Sequence, residues 1–450
     1  MVAKGGIPQD PERSGSWMRL SSYKSLLGWR EARLKDCFSY GKGLNITKAD
    51  LVEDGTPVIS YGQIHAKQND GTHLKGELLR YVPEELAEST PGARLKTGDI
   101  VFADTSEDLD GVGNCVVNDV GDGVYAGYHT LIARAKDPRN SKYLSYLFQT
   151  DCWREQLRKR ACGIKVFSLT QRLLSNVKVV LPPHPEQERI VAFLDEKCAA
   201  VDKVIEAKRK QLESIAGQRK SLITQSVVFG LGACRSRKTG IEWMPLVNSD
   251  WEVVSLKRLL SRKMEYGLSE AAELEDESLP RYIRITDFGD DGELRDDTFK
   301  SLPMEIAKDA MLQANDVLFA RSGATVGKSY IYTGWRTGAC FAGYLIRAQT
   351  KVWRLNPKFL YYFTKSAAYD AWKSLIFTQA TIQNISAVKY GQLKMPVPSV
   401  RTQNEIVSYL EARGREFDSL AVNLRKQIET LEQYRKSLIH EYVTGARRVA

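Results

Sequence analysis

The chain has 450 residues and a formal net charge of +10, with 43% hydrophobic and 27% charged residues. That length supports two or three domains, each able to bury a core, and the composition is that of an ordinary soluble protein. The basic excess leans toward a polyanionic partner, while seven cysteines without a C-x-x-C pair and five histidines never at metal-ligand spacing argue against a disulfide framework or a zinc site.

In chain order, residues 1–15 are polar and rich in Gly and Pro, and read as a frayed tail rather than a signal peptide or anchor. No apolar run approaches the length needed to span a bilayer, so a soluble, cytoplasmic protein is expected. Residues 97–134 alternate apolar and polar, are rich in Val, Ile, Tyr and Phe, and read as strands. Residues 141–160 read as short amphipathic helix. A proline cluster, Leu181-Pro182-Pro183-His184-Pro185, then forbids earlier helix and tolerates a helix start. Beyond it Val201, Ile205, Lys208, Leu212, Ile215, Arg219, Leu222 and Ser226 are spaced 4-3-4-3-4-3-4, the seam of a coiled coil. The helix is expected to stop near Gly230. Residues 231–250 read as a linker ending in a hook, Thr239-Gly240-Ile241-Glu242-Trp243-Met244, which echoes Ser14-Gly15-Ser16-Trp17-Met18.

The series then runs again. Residues 314–348 read as strands and 357–376 as short helices. Met395-Pro396-Val397-Pro398 precedes a second heptad stripe of Phe417, Ala421, Leu424, Ile428, Leu431, Arg435, Leu438 and Tyr442, ending near Gly445. The two stripes match in phase at an offset of 216 residues, 201 to 417. Upstream, Ala126-Gly127-Tyr128 matches Ala342-Gly343-Tyr344, and Gly98-Asp99-Ile100-Val101-Phe102-Ala103 matches Asn315-Asp316-Val317-Leu318-Phe319-Ala320. Solenoid units run about 20–50 residues, so this period means a duplicated domain with a duplicated helix. About 45 helical residues give a rod of roughly 65 Å. Two such helices with narrow stripes and charged flanks are expected to pair antiparallel, about a pseudo-two-fold axis. Arg219 and Arg435 hold equivalent seam positions, where they snorkel or fix register. Residues 45–95 and 263–312 do not resemble each other, as in two related modules that read different things. Duplex DNA, with two similar faces, is the obvious partner.

Catalytic motifs are wanting. Gly323-Ala324-Thr325-Val326-Gly327-Lys328-Ser329 looks like a phosphate loop but has three residues between its glycines where four are needed. There is no Asn/Asp-Pro-Pro-Tyr/Phe tetrapeptide of an amino-methyltransferase, no glycine-rich cofactor loop and no nuclease cluster. What remains are segments mixing bases, amides and small hydroxyls, as groove readers do. The candidates are Tyr61, Gln63, Lys67, Asn69, Arg160 and Lys165 in the first module. In the second they are Arg284, Asp287, Arg321, Ser322, Thr325, Gln379, Thr381, Gln383 and Asn384.

The order of these motifs resembles the specificity subunit of type I restriction-modification systems. The resemblance rests on Gly240-Ile241-Glu242-Trp243-Met244 followed by Asp250-Trp251-Glu252-Val253-Val254-Ser255-Leu256-Lys257. It rests also on Asp316-Val317-Leu318-Phe319-Ala320-Arg321-Ser322-Gly323, on Gln187-Glu188-Arg189-Ile190, and on Arg219-Lys220-Ser221-Leu222-Ile223 with its second copy. The first hook is degenerate, and Gln187-Glu188-Arg189-Ile190 becomes Gln403-Asn404-Glu405-Ile406 in the second copy. The resemblance implies an α+β fold with two target recognition domains, 1–185 and 251–400. It implies coil helices over 186–230 and 401–446, joined by the linker 231–250. It implies a double-stranded DNA partner with a bipartite, asymmetric site, and no catalysis in this chain. Two modification subunits would supply S-adenosylmethionine and methylate adenine N6. Up to two restriction subunits would bring ATP and Mg. A protein-binding coiled-coil scaffold and a self-contained methyltransferase are the rival readings.

Overall fold

The computed structural model describes residues 28–161, 166–271, 273–289, 292–378 and 384–449. The echo at residues 14–18 lies outside them. They fall into two compact units, one up to Ala207 together with Gln427 onward, the other Lys208–Lys426.

The first unit is built on a four-stranded antiparallel sheet in the order Phe38–Lys42, Thr130–Ala135, Ile100–Ala103, Cys115–Val117. All four residues of Ile100–Ala103 are buried, because successive side chains enter different cores. Ile100 and Phe102 face one built with the helices Ser141–Leu147 and Asp151–Arg158, where Phe148 and Trp153 stack at 4.1 Å. Val101 and Ala103 face a core shared with an inserted sheet of Arg80–Val82, Thr56–Ile59 and Tyr125–Ala126. A strand covered on both faces reads as a continuous apolar run. Below the sheet, Arg30–Arg33 pairs with Lys178–Leu181.

The second unit repeats this plan. Its sheet runs Glu265–Tyr266, Leu345–Ala348, Val317–Ala320, Ser329–Ile331. Val317 and Phe319 face one core, Leu318 and Ala320 another. Arg281–Ile283 pairs parallel with Ala339–Phe341, as Thr56–Ile59 does with Tyr125–Ala126. Glu252–Ser255 pairs with Lys394–Val397. Pro357–Phe363 and Ala367–Thr378 are its short helices.

The duplication extends to single hydrogen bonds. Gly98 and Asn315 both take positive φ in a turn closed by an aspartate: Oδ2 of Asp99 accepts from the Lys96 amide, and Oδ2 of Asp316 from that of Gln313, each at 3.0 Å. Gln187 and Gln403 are both buried and donate to the carbonyls of Pro182 and Pro398. The same glutamines reach Asn140 and Asn356, which ties each long helix to its module. Gly43 and Gly267 lie against backbone with no room for a Cβ, which would fall 1.9 Å from the Gly127 carbonyl oxygen and 2.1 Å from that of Phe341.

Two expectations are revised. Residues 231–250 are not a plain linker: Ser236–Ile241 and Met244–Asn248 form a β-hairpin, and Met244 and Val247 enter the core. The Ala-Gly-Tyr match is one residue out of register. The amides that bond the Ile59 and Ile283 carbonyls belong to Gly127 and Ala342, so Tyr344 stands where His129 does, not Tyr128. Strand pairing agrees, with Ala103 opposite Thr130 and Ala320 opposite Leu345.

The two long helices are His184–Val228 and Val400–Val443. Gly230 and Gly445, at φ 99° and 74°, turn the chain out of them. In the first unit, Ile190, Leu194 and Cys198 of one helix and Leu438, Ile439, Tyr442 and Val443 of the other join the module core. The second unit does the same with Ile406, Val407 and Leu410, and with Ile223, Val227 and Val228. Most residues between the stripe positions are exposed, while Val201, Ile205, Phe417 and Leu438 are buried, and Leu212, Ile215, Leu222, Leu424, Ile428 and Leu431 half-buried. Within the first unit Arg435 Nε donates to Asp202 Oδ2 at 3.3 Å and lies 3.0 Å from Oδ1, and within the second Arg219 meets Asp418 Oδ1 at 2.5 Å.

Candidate nucleic-acid interface

Each module has an edge where the central strand runs out and the residue beyond it pairs with a later segment of the chain. In the first, Ile100–Ala103 continues through Asp104 into Thr105–Ser106, which pairs with Phe167–Ser168. The short helix Tyr61–Ile64 and the turn at 127–129 lie against this edge. Tyr61 meets Tyr128 at 5.6 Å, His129 at 5.4 Å and His65 at 6.3 Å, all edge-on, the geometry that ring quadrupoles favour. His129 has positive φ and an exposed ring whose Nδ1 lies 3.3 Å from Asp104 Oδ1.

The support beneath is polar and matched. Arg154 donates to Phe148 O, Gln149 Oε1 and Asn114 Oδ1. With its oxygen so engaged, Asn114 presents its amide nitrogen to His65 Nδ1 at 3.0 Å. On its other side His65 Nε2 lies 2.8 Å from the Thr105 carbonyl, so the two contacts fix the plane of the ring.

The expected residues fall in different places. Tyr61 heads the aromatic cluster, and Lys67 is exposed beyond it. Gln63 accepts from the Ser60 amide as a helix cap. Asn69 faces inward, donating to Ile64 O and Cys115 O and accepting from the Gly71 amide. Arg160 is exposed just past Asp151–Arg158, and Lys165 lies outside the described residues.

In the second module Arg321 leaves Val317–Ala320 and lays its guanidinium over Tyr266 at 4.9 Å. Ser322 bridges to Asn384, and Tyr344 beside them is strongly exposed. Thr325 donates to Ile285 O, joining this edge to the turn at 285–287. There Arg284 and the buried Asp287 serve each other, through Nη2 to Oδ1 at 2.9 Å and the Arg284 amide to Oδ2 at 2.7 Å. Gln379, Thr381 and Gln383 lie outside the described residues. The structure thus gathers Arg321, Ser322 and Asn384, and adds residues that sequence reasoning missed: Asp104, Tyr128, His129, Tyr266 and Tyr344. For Tyr128, Tyr266 and Tyr344 the signal was faint, an aromatic beside a glycine, and for Asp104 and His129 there was none.

Both edges offer flat rings, hydrogen-bond donors and acceptors on a rigid sheet. Among the described residues, no group of three His, Cys, Asp or Glu could hold a metal ion, and no helix is long and apolar enough to cross a membrane. The profile of the type I restriction modification DNA specificity domain matches twice, over residues 27–214 and 248–430. The chain belongs to the type I specificity family. A relative named putative type I restriction enzyme MjaX specificity subunit, from Methanocaldococcus jannaschii, is 24% identical over 94% of each chain. The MjaVIII specificity subunit of the same organism is 23% identical, over 68% of this chain and 70% of its own. A solved chain from work on complex assembly and conformational transition of the type I R-M system shares the fold, with a TM-score of 0.65 at 18% identity, over 93% of this chain and 98% of that one. This specificity-family chain thus carries its domain twice, one copy in each unit.

Proposed function

We propose that this chain is the DNA-reading subunit of a type I restriction-modification complex, each module reading one half of a bipartite, asymmetric site. The observation that carries this is a backbone scaffold repeated to the hydrogen bond whose strand-end edges carry different side chains, as two readers of different sequences require. The long helices form an antiparallel coiled coil about a pseudo-two-fold axis and set the spacing of the half-sites. Two features support the coil: the seam residues are the sheltered ones, and the ion pairs are reciprocal. Asp202 and Asp418 are repeat equivalents, as are Arg219 and Arg435, so each arginine meets the other copy's aspartate, the pattern of an isologous contact.

The chain does no chemistry itself. Two modification subunits beside it supply S-adenosylmethionine and methylate adenine N6, and up to two restriction subunits bring ATP and Mg, all in the cytoplasm. The test is selection from randomised duplexes by the chain co-purified with its modification subunits. Two short fixed sequences at one fixed separation are expected. Binding to all duplexes alike, with only a salt-dependent affinity, would overturn the reading.

A further inference from the structure

The position after each central strand is the same place in two copies with opposite charge. Three backbone contacts define it. The Asp104 amide bonds the His129 carbonyl at 3.1 Å, and the Arg321 amide bonds the Tyr344 carbonyl at 3.0 Å. The Leu169 amide donates to Asp104 O at 2.7 Å, and the Ile385 amide to Arg321 O at 2.8 Å. The next residue pairs across the edge in both, Thr105 with Ser168 and Ser322 with Asn384. Asp104 and Arg321 therefore leave the sheet from one backbone frame.

Their side chains are unfinished in the free protein. Oδ1 of Asp104 is buried without a hydrogen-bond donor aligned on it, though the exposed His129 ring stands 3.3 Å away. Nε of Arg321 is buried with no hydrogen-bond partner, and so is Oδ1 of the neighbouring Asn384. Buried polar atoms are nearly always hydrogen-bonded, so atoms lacking a hydrogen bond at the same place in both modules point to a partner that arrives later. Tyr266 holds the Arg321 plane from one side by a cation–π contact, leaving the guanidinium fork as the free recognition element.

Resting on the DNA-reading function above, we propose that Asp104 and Arg321 are the matched base-reading residues of the two modules. Arg321 takes the O6 and N7 acceptors of a guanine, and Asp104 accepts from the N4 amino group of a cytosine. Both half-sites then hold a G·C pair at the matched position, with the bases exchanged between strands.

The test uses the full chain with its modification subunits and selection from randomised duplexes, run for the native protein, Arg321→Gln, Arg321→Lys and Asp104→Asn. Arg321→Gln is expected to lose guanine at one position of one half-site by roughly 5- to 150-fold. Arg321→Lys, which keeps the charge without the fork, should keep general affinity and relax the same position. Asp104→Asn should lose cytosine at one position of the other half-site and gain adenine there. Spacer and remaining positions should stay as in the native protein. If the native chain selects a bipartite site and the arginine variants weaken all sequences equally with base preferences intact, Arg321 is a phosphate contact and the inference fails. It fails equally if Asp104→Asn alters no position. Should the native chain itself select no site, the DNA-reading function fails instead. Arg321→Lys guards against misfolding, since it retains the cation over Tyr266.

Discussion

His73 is the side chain whose ionisation the fold alters most usefully. Asp119 Oδ2 lies 2.8 Å from Nδ1, and Asp195 Oδ1 3.6 Å from Nε2. Bonding to these two carboxylates raises its pKa from about 6.5 to about 9, against the opposing effects of partial burial and of Lys142. Tyr146 also donates to Asp195, so the group ties the inserted segment to a short helix and to the first long helix. The folded value lies above the unfolded one, so the stabilisation is full below about pH 6.5 and fades as pH rises through about 9. Urea unfolding of the native chain and of His73→Asn should show the native advantage at pH 6.5 and its loss by pH 9.5. Equal pH dependence in both would contradict the assignment. At this scale the sequence was a partial guide. Tyr61 and Arg321, expected from turn-rich segments, both lie at the strand-end edges. Asn69 and Asp287 belong to the same residue classes, yet their polar groups bond the fold's own backbone, partners that lie far from any sequence pattern. Asp104 went unread because a lone acid after a strand has no spacing signature. Its meaning comes from the backbone frame it shares with Arg321.

At the scale of elements, the long helices offer a controlled comparison of two equivalent ion pairs. Arg435–Asp202 is the more sheltered, since the Arg435 side chain is 16% exposed against 40% for Arg219. Exposed pairs contribute about 0.2–1 kcal/mol in double-mutant cycles. Cycles on Asp202→Ala with Arg435→Ala, and on Asp418→Ala with Arg219→Ala, should place the first pair at the upper end of that range and the second at the lower. The reverse ranking would contradict the packing described. Seam leucines should follow burial in the same way: Leu438→Ala, buried in the module core, should cost about 2–5 kcal/mol, and Leu424→Ala less. Heptad spacing and proline boundaries made these helices legible, with ends within three residues of expectation. Enrichment in Val, Ile, Tyr and Phe likewise marked the central strands, although the expected apolar–polar alternation gives way to four buried residues in a row. The 231–250 hairpin was hidden because its outward strand, Ser-Arg-Lys-Thr-Gly-Ile, is polar and mostly exposed. The one-residue register shift was hidden because identical residues can align where the backbone hydrogen bonds do not.

For the whole molecule, the proposed coil makes spacing a property of helix length. Deleting matched heptads, residues 208–214 and 424–430, keeps the stripe in phase and shortens a coil by about 10 Å. Selection by the shortened chain should return both half-sites unchanged, with a shorter preferred spacer or no binding. An unchanged spacer in a folded variant would assign the spacing to the modification subunits. The central claim is that the two units read independently. Its most direct measurement is methylome sequencing of a host carrying the intact system, before and after residues 30–180 are exchanged for the matching part of a relative. That span holds the first module's sheets and inserts and leaves the long helices in place. The expected result is a new sequence in one half of the methylated site, with the other half and the spacing retained. A change in both halves, or in neither, would contradict the account.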